Sequence, residues 1–279
     1  MRRHTELLLL ALLAAQTGCA ATAPPAPEKT AAAAPVPEPE SRQKAAELLD
    51  GMAKFMISQQ TFRVSILAGY EVLQHSGQKI EFGERRQIAL QRPDKLRIEK
   101  VGSDGGRDLT LFDGKQVTTY DAGAKIYATS AQPGNLDATV VHYVRDLGMR
   151  LPLAPLVMAT LPDELHKRVQ EVDYVEGTDL FGERCHHIAG RTVATDVELW
   201  IADGPRPLLR RIAITYRDEP GQPRFWADFS NWDLSPRLAA ADFEFTPAAD
   251  AKKVPFAAEL ASAQMPVSKG ETSAKGGAK

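Results

Sequence analysis

The chain has 279 residues, 43% of them apolar, with 34 basic and 36 acidic side chains. The formal net charge of -2 argues against a nucleic-acid partner, because such proteins carry a basic excess that neutralises phosphates. Two cysteines are too few for a disulfide scaffold or a cysteine-rich zinc module.

The N-terminus reads as an address. Arg2 and Arg3 precede an uncharged apolar run from Leu7 to Ala15, too short for the roughly 20 residues of a permanent membrane span and suited to a signal peptide over 1–18. Gln16-Thr17-Gly18-Cys19 resembles a bacterial lipoprotein signal, in which the cysteine is acylated and becomes the new N-terminus. Gln16 departs from the leucine usual there. Cleavage by an ordinary signal peptidase near Ala20 or Thr22 is the competing reading. Lipid attachment at Cys19 is the expectation, since a cysteine directly after the apolar run is otherwise hard to motivate; several acyl chains on one residue would anchor the protein stably. Ala20 lacks the aspartate that retains some enteric lipoproteins at the inner membrane, which leans toward the outer membrane. Residues 19–40, rich in Ala and Pro, cannot bury enough surface to order themselves and are expected to form a semi-rigid tether. The tail 258–279 is expected to be disordered. One domain over 41–257 remains.

Within that domain the spacing of Leu48, Leu49, Met52, Phe55 and Met56 predicts an amphipathic helix over 41–59 with Ser41 as its N-cap. From Thr61 the period becomes two. FRVSILAGYEVL, KIEFGERRQIAL, DKLRIEK, RDLTLF, KQVTTY and KIYATSA read as a meander, with Asp113-Gly114 as a type I′ hairpin turn. Asn135 is placed to cap LDATVVHYVRDL, whose Leu136, Val140, Tyr143, Val144 and Leu147 share a face, with Gly148 as the stop. The proline-broken LPLAPLVMATLP follows, read as a lid over an apolar hollow or as a loop packed into the core, and DELHKRV as a short helix. QEVDYVEG, ERCHHIAGR, TDVELWIAD, LLRRIAITYR and PRFWADFSNWDL then resume the strands. The expected class is α+β, mostly β: one large antiparallel sheet curled over a few helices.

No Walker, G-x-S-x-G or H-E-x-x-H pattern appears, so neither enzyme nor cofactor chemistry is expected. On a strand, Cys185 and His187 face one way and His186 the other, which leaves a metal site short of ligands. The mixed-sign run from Glu84 through Arg85, Arg86, Arg92, Lys95, Arg97 and Lys100 reads as a solvated sheet face. Trp200, Trp226 and Trp232 alternate with Leu199, Phe225 and Phe229, so both faces of the sheet carry large apolar groups. Helices on one side and a ligand or partner on the other, or bulged strands, account for that. The expected cavity lining is Leu153, Leu156, Met158, Trp200 and Trp226.

The order F-x-V, G-Q-K, R-P-D-K-L-R, D-G-K, Y-A, then C-H-H-I, L-W-I-A-D-G, R-R-I-A-I-T-Y, F-S-N-W-D-L and F-x-F resembles a bacterial family of predicted periplasmic proteins of unknown function (domain of unknown function two-zero-nine-two) across about Lys44 to Phe256. That family is similar in fold to the periplasmic lipoprotein carriers and receptors. The resemblance implies an open half-barrel whose concave side, partly plugged by helices, holds acyl chains. It implies no catalytic residues. The expected role is a monomeric, membrane-tethered envelope lipoprotein that binds a lipid or acyl chain. A module binding an envelope protein partner is the alternative, and a metal-dependent hydrolase around Cys185 and His187 a third.

Overall fold

The computed structural model describes residues 39–259; the expected signal peptide, Cys19 with nearly all of the tether, and the tail from 260 onward lie outside them. Helix α1 (Pro39–Ser58) opens the fold, two residues before the expected start. Ser41 is therefore inside the helix, and its hydroxyl donates to the Tyr174 carbonyl (3.0 Å) instead of capping. Ala45, Leu49, Met52, Ala53 and Met56 are buried along one face, the three- and four-residue spacing of a core-facing helix.

Strands β1 (Thr61–Leu73), β2 (Lys79–Gln91), β3 (Lys95–Gly102), β4 (Arg107–Phe112), β5 (Gln116–Asp121) and β6 (Ile126–Ala131) form the first meander. The β4–β5 hairpin turns at Asp113-Gly114 as expected, but only Gly114 has a positive φ (88°), whereas a type I′ turn needs two such residues. Asp113 instead precedes the turn and its carboxylate accepts from the Lys115 and Gln116 amides (2.8 and 2.9 Å). Helix α2 (Leu136–Val141) carries its expected cap, Asn135 Oδ1 accepting from the Ala138 amide (2.9 Å). It then widens into a π-helical turn, His142–Asp146. Leu136, Val140, Tyr143 and Leu147 are buried, but the wider turn carries Val144 out to solvent. Gly148, at φ 67°, ends the helix. A 3₁₀ turn (Ala154–Val157) and α3 (Leu161–Arg168) lead into the second meander, β7 (Glu171–Leu180), β8 (Glu183–Arg191), β9 (Thr195–Ala202), β10 (Leu209–Tyr216) and β11 (Arg224–Asp233).

All strands join one sheet in the order β12-β6-β5-β4-β3-β2-β1-β11-β10-β9-β8-β7, β12 (Lys252–Lys253) running parallel to β6 and the other pairs antiparallel. Each meander is local; the seam between them is β1 against β11, which pairs Ile66 with Phe229 and Gly69 with Trp226. The sheet curls around α1, α2, the 3₁₀ turn and α3. Phe62, Val64, Ile66, Ile88, Leu199, Ile212 and Phe229 on its concave face share one core with Leu49, Met52, Leu136, Leu153 and Leu161 of that filling. Each large side chain so buried contributes roughly 1.5–3 kcal/mol. The fold is thus the expected open, helix-filled half-barrel, mostly β.

The convex face is partly covered too. After β11 the chain crosses it: Arg97 donates to the Asp242 carbonyl (3.2 Å), Arg63 pairs with the Asp242 carboxylate (3.3 Å), and Phe245 packs on Tyr120 and Tyr127 (both 5.4 Å). A bulge accounts for Trp232. The β1–β11 register shifts between Arg63 and Ser65, and Asn231 takes φ 53°. The extra residue returns Trp232 to the concave side, against Phe62 and Phe229, as bulges do when they re-aim a side chain.

Candidate functional site: an apolar cavity under a helical cover

Between the concave face of β8–β10 and the helical filling lies an apolar cavity of about 140 Å³, lined by Leu49 and Met52 of α1, Leu153 and Leu156 of the proline-broken segment, and Leu199 and Ile212 of the sheet. Pro152 and Pro155 also line it. Their missing amide donors prevent a regular helix there, so the chain lays its apolar side chains over the hollow as a 3₁₀ turn. An adjoining hollow of about 190 Å³ between α1 and α3 shares Leu49, Leu165, Val169 and Val172 with the first.

Two polar ties hold the cover. The Arg92 guanidinium donates to the Val157 and Gln59 carbonyls (2.9 and 3.2 Å). The Asp137 carboxylate accepts from the Ala159 and Thr160 amides (2.7 and 3.0 Å), satisfying donors at the start of α3. The cover is thus clamped at its α2 end. A dry cavity of about 150 Å³ admits a benzene-sized group, and ordinary ligand pockets span roughly 300–1,000 Å³. The space as it stands fits the end of a hydrocarbon chain; a longer chain needs the cover to shift.

Of the residues expected to line a cavity, Leu153 and Leu156 do so. Met158 is buried in the same core but borders a different, open cleft with Asp137, His142 and Arg145. Trp200 and Trp226 are corrected: strand alternation that points Leu199 and Phe225 inward points them to the convex face. Gly190, Val197, Leu199, Ile212 and Ile214 line the cavity unforeseen, although the alternation in RRIAITYR and DVELWIA already carried that signal.

The convex face around Trp200 and Trp226 is a stacked ladder. His187 lies flat on Trp200 (4.1 Å, 9°), and the Arg211 guanidinium sits between Trp200 and Trp226 (5.6 and 5.4 Å), a cation–π arrangement. Glu198 accepts from His187 and Arg224, Glu81 accepts from Trp226 Nε1 (3.1 Å), and Arg211 pairs with Asp228 (3.2 Å). Burial pushes the Asp228 carboxyl above its ordinary pKa, against the pull of Arg211. His186 turns to the other face, 3.2 Å from Asp203 and beside Tyr174. Among the described residues no group of three or more His, Cys, Asp or Glu is arranged to hold a metal. Burial, then Glu183, push the Cys185 thiol up to about 11. In a Cys19→Ser background Cys185 is therefore expected to resist a thiol reagent at pH 8 until denaturant is added. Rapid labelling of the folded protein would contradict its burial.

Ser130 Oγ, His142 Nε2 (3.0 Å), His142 Nδ1 and Asp146 Oδ2 (3.1 Å) form a hydrogen-bonded chain. Arg145, then His142, hold Asp146 down at about 2. His142 and Asp146 border the open cleft, but Ser130 does not. The chain fastens the π-helical turn to β6.

The mixed-charge run does not form one solvated face. Register places Arg86, Lys100 and Asp108 side by side on the concave face, with Glu84 next to Arg86, while Arg85, Arg97 and Glu99 alternate to the convex side. The Arg86–Glu84 ion pair is buried, at 11% and 7% exposure, and Lys100 pairs with Asp108 at 38% and 34%. Burial opposes the Lys100 charge, yet Asp108, with help from Glu84, raises its pKa above the ordinary value.

An open antiparallel half-barrel with an apolar cavity under a clamped helical cover is the class that fold and site define. The chain belongs to the family described as predicted periplasmic protein (DUF2092), which it matches over residues 45–257. No curated protein matches it. Among solved structures it is similar to an uncharacterized conserved protein from Thermus thermophilus (15% identity, 76% of this chain and 99% of that one, TM-score 0.47). It is also similar to a LolA superfamily protein from Nitrosomonas europaea (12%, 72% and 97%, TM-score 0.39) and to the Mycobacterium tuberculosis lipoprotein LppX (11%, 71% and 100%, TM-score 0.45).

Proposed function

We propose that this protein binds a hydrophobic chain, a lipid or acyl group, in the cavity beneath the 3₁₀ cover, and that it does so without catalysis as a monomer tethered to the envelope through lipid on Cys19, with the outer membrane as its site. The observation that carries the reading is the cavity itself: its lining is almost wholly aliphatic, and contact with such a surface stabilises each buried CH₂ by roughly 0.8 kcal/mol. The signal-like N-terminus and Cys19 support the tether. Stoichiometric binding of a fluorescent fatty acid by the purified protein, displaced by unlabelled fatty acid, is the expected result. No binding, together with no lipid extracted from freshly purified protein, would overturn the reading.

The Trp200–Arg211–Trp226 ladder favours a second role, a protein partner on the convex face, because tryptophan and arginine dominate interface hot spots. Crosslinking in intact envelopes separates the two: protein adducts without bound lipid favour the partner.

A further inference from the structure

Two cross-strand rows on the concave face run out of the cavity. In one, cavity-lining Val197 and Ile214 continue through Phe225 to Tyr70 and Phe82. In the other, cavity-lining Leu199 and Ile212 continue through Ala227 and Ala68 to Glu84. From β10 to β2 is three strand spacings, about 14 Å at about 4.8 Å each, a span that an extended acyl chain covers. The first row ends in a stacked aromatic pair, each residue 39% exposed. The second ends at the buried Arg86–Glu84 pair. Glu84 Oε1 is held there by Arg86 Nη2 alone, and the buried Arg86 Nε has no hydrogen-bond partner. A buried donor left open costs free energy until a ligand or water satisfies it, and a carboxylate oxygen with a single partner keeps a lone pair to accept another.

We propose that this cluster receives the polar head of the amphiphile whose chain enters the cavity, and that the head is a zwitterion of the phosphoethanolamine kind. The inference rests on the chain-binding reading above. Arg86 and Lys100 balance Glu84 and Asp108, and the Asp104 carboxylate, which lies over Gly102 beside Glu84, is taken up by the Gly106 amide (2.9 Å). A head of net charge would therefore leave one charge uncompensated, whereas a zwitterion leaves none. Its anionic oxygen accepts from Arg86 Nε and its ammonium donates to Glu84 Oε1. Asp121, next to Asp108 in register, is turned into its own hairpin, where it accepts from the Ala124 amide (2.8 Å). Exposure rising from Glu84 to Lys100 and Asp108 gives the head a way in from solvent.

The test incubates the full-length protein with vesicles of phosphatidylethanolamine, of phosphatidylglycerol, or of an inert carrier lipid doped with diacylglycerol, and measures lipid taken up per protein by mass spectrometry. Phosphatidylethanolamine is expected to be preferred by about tenfold or more, the ratio one charge-assisted hydrogen bond supports. Glu84→Gln, which leaves the cluster one excess positive charge, should turn the preference toward phosphatidylglycerol, and Arg86→Gln, which removes the donor to the phosphate, should abolish the preference for phosphatidylethanolamine over diacylglycerol. Lys100→Gln, at the exposed end, should weaken the preference and serves if the buried variants do not fold. Equal uptake of all three lipids by the wild type, or a phosphatidylethanolamine preference that survives every variant, overturns the head-group site while leaving chain binding intact. Failure to take up any lipid refutes chain binding itself. Full competition by water-soluble glycerophosphoethanolamine, with no dependence on the acyl chain, would assign the cluster to a free solute and overturn the lipid assignment.

Discussion

Gly190→Leu is expected to abolish binding of a fluorescent fatty acid while the protein stays folded. Gly190 lines the cavity from β8, opposite Val197. A Cβ built there meets the Glu171 carbonyl oxygen at 3.6 Å, Val169 Cγ1 at 3.9 Å and the Val197 carbonyl oxygen at 3.9 Å, all ordinary contacts. The backbone therefore accepts a side chain, and the rest of an isobutyl group has a space of about 140 Å³ to occupy. Replacing glycine in a strand also removes the entropy cost of its flexible unfolded state, worth about 0.4–1 kcal/mol in stability. Loss of fatty-acid affinity by more than about tenfold, equivalent to 1.4 kcal/mol, with an unchanged or higher denaturation midpoint, is the predicted pair of readings. Unchanged affinity in a folded variant would move the ligand out of this cavity.

The second large effect falls on the convex face. Gly69→Ala is expected to destabilise the domain by about 1–3 kcal/mol, the usual cost of forcing atoms into a packed site. The new Cβ would stand 2.6 Å from Trp226 Nε1 and 2.7 Å from Cε2. The indole cannot easily yield, because Glu81 accepts from its Nε1 and Arg211 covers its ring. Gly69 has no left-handed φ, so the effect isolates close packing from backbone strain. Urea denaturation measures it. A Trp226→Leu partner substitution should recover much of the loss, and a Gly69→Ala protein of wild-type stability would contradict the ladder's rigidity.

Chain-local features were legible before any coordinates. The strand segments follow from alternation and turn residues, and Asn135 and Gly148 bound the α2 stretch because capping and left-handed stops depend on a few neighbouring residues. The proline-broken segment was readable as a lid or as packed core, and it is both: Leu153 is buried and lines the cavity. Faces were less legible. Arg86 and Glu84 lie within a run that looks solvated, and only the pairing of β2 with β1 and β3 places them beside Ile66, Ala68 and Lys100. For Trp232 the bulged-strand alternative holds, since one extra residue inverts every later side chain, and alternation alone could not say where the bulge falls.

The sequence alone determined the class: a mostly β domain whose ordered short motifs mark a family of predicted periplasmic proteins. The tertiary structure alone decided which face is concave, that β1 closes on β11 to join two local meanders, and that the cavity lies under the 3₁₀ cover while Trp200 and Trp226 stand outside. The physical reason is range. Periodicity and turn chemistry act over a few residues, whereas a cavity wall is assembled from α1, the cover and β8–β10, segments whose contact is fixed only when long-range pairing sets the register of the whole sheet.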